Sequence, residues 1–202
     1  MSVHKRTARS LIVLACAVMT LGVAAPAADA VKLANVTGGQ SGLTVNMDYV
    51  RALGQENIFS LTLPPASLSP TLPPVATFPI NGGLVETDTL IGTVNHAGGI
   101  RIVKYNAEFT VVEKQLDTTE LKILNGNTLT GNALGLIPTP TADLVNVQHS
   151  TDASGVIHYE ADVKLTAGTA LVLNVYFETQ AFTAGMLLGH INTTAETSRL
   201  LL

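Results

Sequence analysis

The chain has 202 residues, of which 47% are hydrophobic and 13% charged, with a net charge of −4 and a single cysteine. That length and apolar share suit one globular domain with an ample core. The acidic balance argues against nucleic acid or anionic lipid as a partner, and past residue 30 no apolar run is long enough to span a bilayer.

The first thirty residues follow their own pattern. His4, Lys5, Arg6 and Arg9 form a positive stretch, Leu11 to Ala25 is apolar throughout, and Ala28-Asp29-Ala30 offers small residues for cleavage. This is the layout of a secretory signal peptide, with cleavage expected after Ala30. A lipoprotein signal at Cys16 is the rival. The apolar run continues well past that residue, whereas a lipidated cysteine ends its hydrophobic region. Cleavage after Ala30 leaves eight basic and fourteen acidic residues, a net charge of −6, and no cysteine. The exported chain, residues 31–202, then relies on core packing and backbone pairing without a disulfide.

From there the elements read in order as short strands. Leu43, Val45 and Met47 alternate with polar neighbours, after a Gly38–Gly42 loop. Asp48 is placed to cap a short helix that runs through Leu53 and stops at Gly54. Ile58 to Leu63 returns to alternation. Pro64-Pro65 to Pro73-Pro74 reads as a surface excursion, because proline denies donors to a sheet. Gly82-Gly83 and Gly98-Gly99 read as two tight corners. Leu90 to Asn95 forms a strand between them, and Ile100 to Lys104 is its expected hairpin partner. Phe109 to Lys114 alternates again, Leu121 and Ile123 lead into an Asn125-Gly126-Asn127 turn, and Pro138 and Pro140 mark a loop. Leu144 to Ser150 and Val156 to Val163 form a hairpin around Asp152–Gly155.

Leu165 to Phe177 lacks this alternation. Thr166 is a plausible N-cap, and a helix here is apolar on nearly every side and therefore buried by the sheets. Its valines keep a strand alternative open. Met186 to Thr194 closes the sheet, bent at Gly189, and Arg199 to Leu202 is a frayed tail. Many short strands at this spacing predict a mainly β protein, an antiparallel β-sandwich with one or two short helices.

Two stretches carry a family likeness. Phe78-Pro79-Ile80-Asn81-Gly82-Gly83, with Gly92-Thr93-Val94-Asn95-His96-Ala97-Gly98-Gly99-Ile100, resembles the HtaA-type domain of secreted and cell-surface actinobacterial proteins. The segments Leu165 to Gly168 and Ala181 to Met186 resemble the closing part of related secreted proteins. The resemblance implies a β-sandwich-like fold. It also implies haem held through a tyrosine oxygen on iron with a histidine in support, with Tyr49 and His96 as the corresponding residues. This chain departs from the family pattern in having no tryptophan and no Ser-Phe-Arg approach to its tyrosine.

Other chemistry finds less support. A symmetric Asp152–Gly155 loop would set His149 opposite His158 as a metal pair. Yet Ile157, Tyr159 and Ala161 form an apolar face that His158 does not share, so a one-residue slip separates the two histidines. His149 is then expected to be partly buried, His158 solvated, and His190 without a partner. Glu108, Glu113, Asp117 and Glu120 read as a solvated strand face, and no GxSxG motif is present. The expected function is a secreted, non-enzymatic β-domain at the cell envelope or outside the cell, structural or ligand-binding, with an unknown partner there. Haem uptake through Tyr49 and His96 is the alternative, and a hydrolase is the third class.

Overall fold

The computed structural model describes residues 32–133 and 139–200. The leader, Cys16, the Ala30 cleavage point and Pro138 lie outside them. The elements are β1 (Leu33–Val45), α1 (Met47–Gly54), β2 (Ile58–Leu63), β3 (Ser67–Leu68), β4 (Val75–Glu86), β5 (Gly92–His96) and β6 (Gly99–Tyr105). They continue with β7 (Val112–Leu124), β8 (Thr128–Ala133), β9 (Thr139–Thr151), β10 (Ile157–Leu165), α2 (Ala167–Phe177) and β11 (Leu187–Arg199).

One continuous sheet connects every strand. Its path β7-β5-β4-β1-β11-β10-β9-β8 returns to β7, which closes a ring of eight strands, and β6, β2 and β3 lie outside that ring. The mainly β reading with two short helices therefore holds, but a closed ring stands where a two-sheet sandwich was expected. Closure leaves the eight ring strands without a free edge. Period-two burial fills the interior. Ile157, Tyr159, Ala161, Val163 and Leu165 of β10 are all buried, while His158 and Glu160 between them are exposed. Ile157, Tyr159, Ala161 and Val163 meet Val36, Val85, Ile123, Leu144 and Ile191 in one core cluster, and Leu165 joins a second with Tyr49 and Leu173.

The Gly38–Gly42 segment is the interior of β1, not a loop. Gly39 pairs with Ala195 at a φ of +111°, and a Cβ there would stand 2.0 Å from the Thr194 carbonyl oxygen. The glycines are strand residues where two backbones approach closely. Gly82-Gly83 likewise lies inside β4, at a register shift next to Ile80, and is not a corner. The helix after β1 is capped by Asn46, whose side chain accepts from the Asp48 N–H at 2.9 Å, so Asp48 is in the first turn.

β5 and β6 do not form a hairpin. Both run antiparallel to β7, β5 against Leu124–Lys122 and β6 against Thr119–Val112, as one strand broken at Ala97-Gly98. Their other edges diverge. β5 pairs with β4 inside the ring, whereas β6 pairs with β2 outside it. At the break Gly98 has a φ of +88°, with Leu63 and Ala66 so close that a side chain has no room. The sheet therefore branches here, and the β6–β2 arm peels away from the ring.

α2 begins as its sequence indicates: Thr166 Oγ1 accepts from the Thr169 N–H at 3.1 Å. It is not buried all round. Ala170, Leu173 and Phe177 face the protein, but Leu171, Val172 and Val175 are exposed. β11 extends beyond Thr194, and its Arg199 pairs with Ala34, so the tail is not frayed at that residue. No described helix is long and apolar enough to cross a membrane.

Candidate ligand cavity

The branch in the sheet opens an apolar cavity. Where the β6–β2 arm leaves the ring, Ile100 and Ile102 of β6 and Leu116 of β7 face a gap, with Leu129 of β8 and Ala142 of β9 across it. α2 covers the gap with Gly168, Thr169, Val172 and Leu173, and Tyr49 of α1 and Phe182 close it further in. The result is a cavity of about 350 Å³ with no charged side chain among its lining residues. Gly168 and Val172 both line it and are exposed, so it reaches the surface along α2. A second apolar cavity of about 190 Å³ lies between α1 and β2. The two share Tyr49, Ile100 and Leu188, so the Tyr49 ring belongs to the wall between them.

The polar groups on the cavity wall are largely occupied. Thr141 Oγ1 donates to the Leu129 carbonyl at 2.9 Å and Thr169 Oγ1 to the Pro140 carbonyl at 3.2 Å. The Tyr49 hydroxyl is 2.6 Å from Ser60 Oγ, and burial pushes its pKa above the ordinary phenol value. Tyr49 is therefore a neutral, hydrogen-bonded phenol in the cavity wall.

His96 stands elsewhere. As the last residue of β5 before the break, it is buried, and its Nε2 is 2.7 Å from Ser41 Oγ, itself 2.7 Å from Thr193 Oγ1. It lines a void of about 20 Å³ with Phe78, Leu121 and Ile191, a void that Tyr49 does not touch. The described cavities lined by Tyr49 do not include His96. His96 Nε2, Ser41 Oγ and Thr193 Oγ1 form one hydrogen-bonded run whose direction follows the imidazole tautomer. Burial, offset in part by the Leu121 carbonyl, lowers the His96 pKa to about 4. Tyr49 and His96 thus line different spaces, which adjoin through the shared residues Ile100, Leu121 and Leu129.

The remaining candidates resolve as follows. In the β9–β10 ladder His149 is opposite Tyr159 and His158 opposite Ser150, the one-residue slip that keeps the histidines on different faces. His149 is exposed instead of partly buried, as are the β9 residues on either side of it. Its Nε2 is 3.0 Å from the Asp88 carbonyl oxygen. His190 does have a partner, with Nδ1 3.0 Å from Asp162 Oδ1 across the β10–β11 pair. Asp117 makes a two-point pair with Arg101, both contacts at 2.7 Å, which holds its carboxyl below the usual range. The cavity itself was not visible in the sequence, since its lining comes from two helices and six strands. The one local signal was a helix without a polar face.

This architecture has counterparts among solved structures. The crystal structure of the C-terminal domain of HtaA from Corynebacterium glutamicum superposes with a TM-score of 0.60 at 17% identity, covering 82% of this chain and 99% of that one. The chain has the HtaA-type fold. The heme-binding protein HtaB from the same organism gives a TM-score of 0.56 at 13% identity, over 83% of this chain and 96% of its own. No family model matches the sequence, and no curated protein matches it. The likeness is therefore one of fold. Within the HtaA-type fold, this chain places Tyr49 on the wall of the α2 cavity and His96 at the branch of the sheet.

Proposed function

We propose that residues 31–202 form a single non-enzymatic ligand-binding domain, exported by the leader at residues 1–30, which holds an apolar small molecule in the cavity beneath α2 at the cell envelope or outside the cell. The uncharged lining of that cavity carries the reading. A cavity walled by aliphatic side chains offers water almost nothing to bond, so an apolar guest gains by leaving solvent.

HtaB is a heme-binding protein, so haem is the specific ligand to test against the residues present. They do not fit it. A tyrosine that ligates iron needs a neighbour to share its proton, and the partner of the Tyr49 hydroxyl is Ser60, not a histidine. His96 lines no cavity with Tyr49 and is bonded to Ser41. Among the described residues, no lysine, arginine or histidine lines the cavity to meet haem carboxylates. An apolar guest without iron chemistry is the better match.

Titrating the exported chain with the neutral probe N-phenyl-1-naphthylamine tests the reading directly. Saturable binding with one site per chain is expected, and its absence contradicts the proposal. A parallel hemin titration is expected to give the same spectrum for wild type and Tyr49→Phe. An absorption band that Tyr49→Phe abolishes would restore the tyrosine–haem reading.

A further inference from the structure

We infer that the guest of the α2 cavity is a single alkyl chain of about a dozen carbons whose head group stays outside, an inference that rests on the cavity being a ligand site.

Three observations lead there. First, the described wall provides no charge for a head group. None of its described lining residues is charged, and three of its five hydroxyls, those of Tyr49, Thr141 and Thr169, already have hydrogen-bond partners. A buried polar group left unpaired is costly, so the part of the ligand inside is hydrocarbon. Second, nine of the nineteen described lining residues are leucine, isoleucine or valine, and two, Tyr49 and Phe182, are aromatic. Flat ring ligands are recognised by stacking on aromatic faces, whereas a flexible chain conforms to an aliphatic wall. Third, the cavity measures about 350 Å³. A methylene is close to the ~30 Å³ share of a liquid water molecule, so on the order of a dozen carbons fit.

The way in has the same character. Val172 belongs both to the cavity wall and to the exposed face of α2, where Leu171 and Val175 are 66% and 71% exposed. No residue from Ala167 to Phe177 is charged. A chain leaving a micelle or lipid surface therefore meets no fixed charge on α2 as it enters.

The experiment uses the exported chain and n-alkyl phosphocholines from octyl to hexadecyl. Each is kept below its critical micelle concentration and competes with bound N-phenyl-1-naphthylamine. Affinity is expected to rise about fourfold per added methylene and to level off near dodecyl, where the cavity is full. Dodecanoate should bind within a few-fold of dodecyl phosphocholine, because neither head enters. Val172→Trp, at an exposed position that leaves the melt unchanged, should weaken dodecyl binding by about tenfold or more. Val175→Ser, which is outside the lining, should not.

Affinity that is flat with chain length while the naphthylamine still binds and Val172→Trp blocks it would overturn the alkyl assignment alone. Affinity that climbs without a break to hexadecyl, the signature of surface adsorption, would overturn it as well. Failure of the naphthylamine to bind at all would remove the ligand-site reading together with this one.

Discussion

Acidification from pH 7 to pH 4 is expected to remove about 3 kcal/mol of stability through one side chain, His96. Its folded pKa is lowered from 6.5 to about 4 by burial beside Phe78, Leu121 and Ile191, with Ser41 the partner of its Nε2. The sign follows from proton uptake. Below pH 6.5 the unfolded chain binds a proton that the folded chain refuses, so the contribution is complete above that pH. It is lost as pH falls and is gone by about pH 4. The aspartates with lowered pKa, Asp117, Asp152 and Asp162, act in a separate window, because their contribution is lost below the ordinary carboxylate value of 3.8. Urea unfolding at pH 7, 5.5 and 4.5 separates the two effects. His96→Gln retains an amide that can reach Ser41 and has no proton to take up, so its stability should be nearly flat over that range. A wild-type slope in the variant would mean that another group carries the acid sensitivity.

Phe177→Ala is expected to cost about 3–5 kcal/mol. Phe177 is fully buried at the last turn of α2, edge-on to Tyr176 at 4.9 Å and 6.2 Å from Phe182. Its carbonyl also accepts from Lys104 Nζ at 2.8 Å, which ties the helix end to β6. Removing the ring leaves a void in the cluster that seats α2, and the rigid strands on either side relax only partly. The urea midpoint should fall with the slope unchanged. A loss below about 1 kcal/mol would show that α2 is held by something other than this cluster.

Local chemistry is legible wherever a single stretch determines the outcome. Ile58 to Leu63 alternates and is a strand with those bounds. Asn125-Gly126 turns with both residues at positive φ, as the dipeptide signals. Thr166 caps α2. The features that escape the sequence share a cause: each depends on a partner far away along the chain. Ser41 is 152 residues from Thr193, and nothing near Gly39 announces that β11 will pass so close that only glycine fits. Local composition suggests a loop, yet the tertiary approach demands a strand. The β5–β6 break is hidden for the same reason, since a glycine corner between two apolar runs looks like a hairpin until β7 is known to pair with both.

The site is less legible than the fold. Tyr49 and His96 stand out in the sequence, and in the structure both are buried and both have displaced pKa values. At the branch His96 ends β5 within the ring, while Tyr49 lines the α2 cavity together with Ile100 and Ile102 of β6. The helix that covers the cavity does leave a trace in the sequence. Eleven residues without a charge suggest burial on all sides. In the structure much of that apolar surface, at Leu171, Val172 and Val175, is exposed, and the cavity beneath α2 gives it a use.

The most direct test of the account is where a bound chain lies. Proton NMR of the exported chain with methyl-labelled Ile, Leu and Val and a dodecyl phosphocholine ligand reports which methyl groups touch it. Contacts from the dodecyl chain to Ile102, Leu116, Leu129 and Leu173 are the predicted result. Contacts confined to the exposed side chains of Leu61, Val111 and Val112 on the β2–β7 arm, with none to Leu173, would contradict it.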